Sequence, residues 1–167
     1  MKTQYTVTAV FHCPLERAFK APILGDATKI LPGYGVIPPV VGFVDDATWG
    51  QVGGHRIPVF KGSLFNPAGP QTFDQILVRE ENRYWKWQLD QLPWSMRFIT
   101  KCQGEWKCNG NDDGTISVVW TYTLFSANAL VHPMAYLFTK IFWAGLQRQG
   151  IKEIKAIAES GEAFLYA

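Results

Sequence analysis

Cysteine is scarce in this chain and odd in number. Cys13, Cys102 and Cys108 offer no two closely spaced ligand pairs, which argues against a disulfide framework and against a structural zinc site. Cys102 and Cys108 are an even step apart, so on one strand they face the same side and read as small buried thiols. An excess of one charge is also missing. Sixteen Lys and Arg against fourteen Asp and Glu leave a net charge of +2, with no dense basic stripe, so nucleic acid is not expected as a partner. The longest apolar stretch, 129–146, carries His132, Pro133 and Lys140 and barely reaches the length that crosses a bilayer. It runs on into Gln147-Arg148-Gln149-Gly150, as a soluble helix would. Behind Met1-Lys2 there is no apolar run of a secretory leader, and the expectation is a soluble, cytoplasmic protein.

Catalytic signatures are absent too. There is no nucleophile elbow, phosphate loop, dinucleotide fingerprint or metal-ligand helix. Gly50-Gln51-Val52-Gly53-Gly54 lacks the Lys-Ser/Thr of a phosphate loop and reads as a bend. His12, His55 and His132 are far apart and read as surface or cap residues. No metal and no cofactor are expected. Without repeats, low-complexity tracts or a linker, residues 1–167 form a single domain, long enough to bury a sizeable core.

What is present in quantity is aromatic surface: seven Trp, six Tyr and eleven Phe. The hydrophobic fraction of 47% against 18% charged describes a globular chain. Gln4 to Phe11 alternates as a strand, with Tyr5, Val7, Ala9 and Phe11 on one face. Pro14 suits the first position of a helix, which Pro22 is expected to end. A second short helix is expected over 25–31, capped by Asp26. Pro38 and Pro39 lead into an edge strand reaching Val44, and a further strand region, interrupted by Gly53-Gly54 and by Pro58, is expected over 49–60. Asn66 to Pro70 reads as a loop, and Gln71 to Glu80 and Arg83 to Asp90 as strands.

From Met96 to Cys108 the chain alternates, and apart from Ile99 one of the two sets is wholly polar or charged. Asn109-Gly110 and Asp113-Gly114 are hairpin signals. The returning strand, Thr115 to Phe125, sets Ile116, Val118, Trp120, Tyr122 and Leu124 on one face. A last helix starts near Pro133 and ends near Ser160-Gly161. Its first half is apolar nearly all round and its second half amphipathic. Gly145 and Gly150 within it signal a bend or a close approach.

Three stretches carry a family resemblance. Residues 11–19, Phe-His-Cys-Pro-Leu-Glu-Arg-Ala-Phe, resemble the strand-to-helix corner of START-like (SRPBCC) proteins. Residues 113–120, Asp-Gly-Thr-Ile-Ser-Val-Val-Trp, are similar to the hairpin entering their last strand. Residues 154–159, Ile-Lys-Ala-Ile-Ala-Glu, resemble the close of their final helix. The likeness extends over essentially the whole chain and leans to the polyketide cyclase/dehydrase and lipid-transport branch. It implies an α+β helix-grip fold: a curved antiparallel sheet of about seven strands wrapped around a long C-terminal helix, with two short helices after the first strand. The double proline and the glycine-proline loop at 66–70 depart from its commoner members.

Fold does not select function. The favoured reading is binding, transport or sequestration of a hydrophobic or aromatic small molecule between sheet and helix, lipids included. Phe98, Trp106, Val118, Trp120 and Tyr122 from the hairpin and Phe138, Phe142 and Leu146 from the helix are the expected contacts. A second reading is a cyclase- or dehydratase-type enzyme. Strand parity puts one of His55 and Arg56, and one of Asp74 and Gln75, inside. Tyr122 is placed to polarise a carbonyl, and Arg56 with Asp74 would balance each other's buried charge. A third reading is a filled core whose apolar helix end (Phe138, Phe142, Trp143) docks on a protein or makes peripheral membrane contact. Monomer and dimer stay open.

Overall fold

The structure, a computed structural model, describes residues 1–64 and 66–166. Its first strand, β1 (Lys2–Phe11), turns its alternating apolar face inward: Val7 and Phe11 are buried while Thr6, Thr8 and Val10 face out. Then follow α1 (Leu15–Leu24) and α2 (Ala27–Ile30). The Asp26 carboxylate accepts from the Thr28 N–H and so caps the second of these. The remaining strands are β2 (Val40–Val44), β3 (His55–Phe60), β4 (Gly69–Pro70), β5 (Phe73–Glu80), β6 (Tyr84–Asp90), β7 (Ile99–Gly110) and β8 (Ile116–Ser126).

All pairings are antiparallel, in the order β1-β8-β7-β6-β5-β3-β2, with β4 beside β3. The proline-led β2 lies at the sheet edge, where a missing N–H breaks no ladder. A helix running without interruption over 132–159 lies against the sheet's concave face. It comprises α3 (His132–Phe138), a π-turn (Thr139–Trp143) and α4 (Ala144–Glu159). Among the described residues no helix is long and apolar enough to cross a membrane.

Four sequence expectations need correction. Pro22 does not end α1; the helix passes through it to Leu24. The carbonyl that a proline N–H cannot reach lies four residues back, at Ala18, and the Trp106 indole N–H donates to it at 3.1 Å. Next, Trp94–Met96 is a 3-10 turn, and β7 begins only at Ile99. A register shift between Ile99 and Lys101 turns Ile99 inward, which explains the one apolar residue in an otherwise polar set. Strand β3 also starts late, at His55, because residues 49–54 form turns with Gly50 and Gly53 at positive φ. Finally, Gly69–Pro70 within the expected loop forms a two-residue strand.

The two helix glycines permit close approach. A Cβ at Gly145 would lie 2.2 Å from the Tyr34 ring, and one at Gly150 would crowd the Ile30 carbonyl and the Trp120 ring. Cys102 and Cys108 are both buried and unbridged, as their even spacing implies.

Candidate functional site

Two apolar compartments lie side by side between the sheet and the C-terminal helix. The inner one is a cavity of about 50 Å³ whose walls include Trp120 and Tyr122 from β8, Trp143, Leu146 and Gln147 from the helix, and Met96. That is room for a few waters, about a third of the volume known to hold benzene. The outer one is an open groove of about 540 Å³, within the range of small-molecule sites. Its walls are Phe98, Phe138 and Phe142. Trp94, Leu137 and Ile141 line it too and are each more than half exposed.

The compartments are one residue apart. Ile37, Pro93 and Trp143 line the cavity, while their chain neighbours Val36, Trp94 and Phe142 line the groove. A run of ring contacts joins them: Phe98 to Phe138 at 5.3 Å, Phe138 to Trp143 at 6.2 Å, Trp143 to Tyr122 at 5.1 Å and Tyr122 to Trp87 at 5.6 Å. The π-turn sits at this junction. Its wider winding, with Thr139 Oγ1 donating to the Ala135 carbonyl at 2.7 Å, keeps Thr139 and Trp143 both buried while Lys140 and Ile141 face out.

The inner cavity has a polar corner. Arg56 and Asp74 are directly opposed in register on β3 and β5, and both are buried. Arg56 Nε approaches Asp74 Oδ2 at 3.5 Å, while its guanidinium is held between the rings of Phe43 (4.0 Å) and Trp49 (3.8 Å). Burial pushes the Asp74 carboxyl up from 3.8 to about 6, and the adjacent Arg56 guanidinium pulls the other way. Asp74 Oδ1 has no hydrogen-bond partner among the described residues, and neither do Thr72 Oγ1 and Gln147 Oε1. All three residues line the cavity. The Tyr122 hydroxyl accepts from Trp87 Nε1 at 2.9 Å, leaving its own proton to donate. Burial raises its pKa, so it stays protonated.

Of the residues singled out by sequence, Trp120, Tyr122 and Leu146 line the cavity, and Phe98, Phe138 and Phe142 the groove. Trp106 and Val118 line neither; both pack in the core, Trp106 against Phe11 and Trp120. Among the catalytic candidates, Arg56, Asp74 and Tyr122 face inward. His55 does not: it stacks on Phe73 at 5.3 Å, and its Nε2 lies 2.9 Å from Asp45 on the outer face. Phe138 and Trp143 are buried and cannot form a docking face. Met134, Tyr136, Leu137 and Ile141 are the exposed apolar residues there.

Sequence reading missed Thr72, Trp143's place in the cavity wall, and Gln147. Thr72 is a buried β-branched residue at φ +73, a rare and strained conformation. Gln147 had a visible signal: it stands four residues after Trp143 and four before Ile151 on one helical face. Its Nε2 donates to the Trp120 carbonyl at 3.3 Å. No group of metal-ligating side chains occurs among the described residues.

No family model matches the chain, and neither does any curated protein. Solved structures do. Norcoclaurine synthase from Thalictrum flavum, in complex with dopamine and hydroxybenzaldehyde, has a TM-score of 0.65 at 11% identity, covering 98% of this chain and 90% of that one. The di-domain ARO/CYC StfQ from the steffimycin biosynthetic pathway gives 0.68 at 12% identity, over 95% of this chain and 51% of that one. Ara h 8.0201 gives 0.58 at 13% identity, over 96% and 100%. At these identities the likeness is one of fold: the chain has the helix-grip fold of START-like (SRPBCC) proteins.

Proposed function

We propose that the protein binds a hydrophobic or aromatic small molecule between its sheet and its C-terminal helix, as a carrier or sequestering module. The observation that carries this reading is the pairing of an exposed, ligand-sized aromatic groove with a smaller cavity one residue beneath it. Exposed apolar surface of that kind is unusual unless something covers it. A guest's body fits the groove. Occupying the cavity with more than a few atoms requires the rings at the junction, Phe138, Phe142 and Trp143, to turn.

Burying about 300 Å² of apolar guest at roughly 25 cal/mol per Å² supplies about 7–8 kcal/mol before the ordering costs of association are met, so tight binding calls for polar contacts as well. The neighbour solved with dopamine and hydroxybenzaldehyde makes small aromatic compounds the first class to test. The test is titration with a panel of small aromatic compounds, fatty acids, sterols and aromatic polyketides, read by tryptophan fluorescence, since Trp94, Trp120 and Trp143 line the two compartments. Saturable quenching supports the reading. A flat response across the panel contradicts it.

One observation favours an enzymatic second reading: a buried carboxyl pushed up to about 6 beside a protonated tyrosine hydroxyl in the same cavity. A carboxyl so placed exchanges protons near neutral pH, as a cyclase- or dehydratase-type step requires. Turnover of a bound guest that vanishes in Asp74→Asn while binding persists would establish it.

A further inference from the structure

The polar corner of the cavity selects among guests by charge. Among the described residues Asp74 is the one charged residue lining it, and it faces Arg56, whose guanidinium is fixed between Phe43 and Trp49. The buried pair therefore sums to zero. A carboxylate guest would set a second anion against Asp74. An ammonium guest would be drawn to Asp74 but repelled by Arg56, and would leave the site with a net buried positive charge. Either leaves an uncompensated charge away from water, which is strongly unfavourable.

A neutral guest disturbs nothing. Among the described residues, three that line the cavity carry oxygens without a partner, Asp74 Oδ1, Thr72 Oγ1 and Gln147 Oε1, and two carry indole N–H groups without one, Trp120 and Trp143. The carboxylate and amide oxygens call for a donor on the guest and the indoles for an acceptor, and a hydroxyl is both. The cavity, at about 50 Å³, admits a small head and not the whole of a drug-sized body.

We propose that the natural guest is a neutral molecule with an apolar or aromatic body and a hydroxyl head, an alcohol or phenol, and that this hydroxyl donates to Asp74 in the cavity while the body lies in the groove. This rests on the binding reading above and narrows it: free fatty acids and protonated amines are disfavoured.

The experiment uses four probes sharing one body: naphthylmethanol, naphthoate, naphthylmethylammonium and methylnaphthalene. They are titrated calorimetrically into the full chain at neutral pH and into the Arg56→Met/Asp74→Leu double variant, which removes both buried charges together. Naphthylmethanol is expected to bind about tenfold or more tighter than each of the others, and the double variant is expected to lose its preference over methylnaphthalene. Equal or tighter binding of the carboxylate or the ammonium overturns the inference while leaving apolar binding intact. So does an alcohol preference that survives in the double variant. If none of the four binds, the binding reading itself falls and this inference with it. The wild-type series is decisive even if the double variant does not fold.

Discussion

The indole N–H of Trp106 donates to the carbonyl oxygen of Ala18 at 3.1 Å, and that oxygen is the one Pro22 leaves without a helical donor. One strand over, Trp85 does the same for Phe19 at 2.8 Å. The two tryptophans are cross-strand partners on β6 and β7. The sheet thus supplies to α1 what its proline withholds, and fixes the helix that closes one end of the core.

A double-mutant cycle tests this relationship. Trp106→Phe leaves the Ala18 carbonyl buried and unpaired, and is expected to cost about 1–3 kcal/mol beyond the loss of ring volume. Pro22→Ala restores a backbone N–H to that carbonyl. The Trp106→Phe cost, read from urea unfolding, is therefore expected to shrink in the Pro22→Ala background. Strict additivity of the two changes would show that the hydrogen bond contributes nothing.

Gly104 stands opposite Tyr122 in the β7–β8 register, and the Trp87 ring occupies the space a side chain would take. A Cβ there would lie 2.2 Å from that ring. Gly104→Ala is expected to destabilise the fold despite the better strand propensity of alanine, and to break the Trp87–Tyr122 hydrogen bond. The measurements are the unfolding midpoint and the indole N–H shift of Trp87 by NMR. A midpoint at or above wild type would contradict the packing described.

Asp74 makes stability depend on pH in a defined direction. Its native carboxyl titrates near 6, above its usual 3.8, so the folded state holds the proton more tightly than the unfolded chain. The stabilisation is fully present below about pH 4 and lost as pH rises through about 6. Relative to the Arg56→Met/Asp74→Leu variant, the wild-type unfolding free energy is expected to fall by a few kcal/mol between those limits. A difference that stays flat or rises with pH would contradict the burial of an imperfectly paired carboxyl.

The groove can be altered without touching the core, because Leu137 and Ile141 are more than half exposed. Leu137→Glu and Ile141→Glu are each expected to weaken binding of an apolar guest about tenfold or more, with an unfolding midpoint close to wild type. Unchanged affinity in both would move the guest away from the groove.

The long elements were legible because their periodicity is strong. The β7–β8 hairpin and the C-terminal helix stand close to where alternation and helical spacing put them. Pro22 was misread because the carbonyl it leaves unpaired is met by Trp106, more than eighty residues away, a tertiary effect invisible to local rules. Ile99 looked like an exception until the bulge turned it inward. At the site, parity alone left His55 against Arg56 and Asp74 against Gln75 undecided. The β3–β5 register resolves both by setting Arg56 across from Asp74. Trp106 was assigned to the ligand because it shares a face with true lining residues, yet α1 covers that end of the face. Thr72 carried no pattern at all, since its backbone conformation is imposed by the turn into β5.

The most direct test of the account is native mass spectrometry of the gently purified protein, with its organic extract analysed alongside. The account predicts a stoichiometric added mass, released into the extract as a neutral, apolar or aromatic compound bearing a hydroxyl. A bare protein mass that stays unchanged after incubation with naphthylmethanol and the wider panel would contradict it.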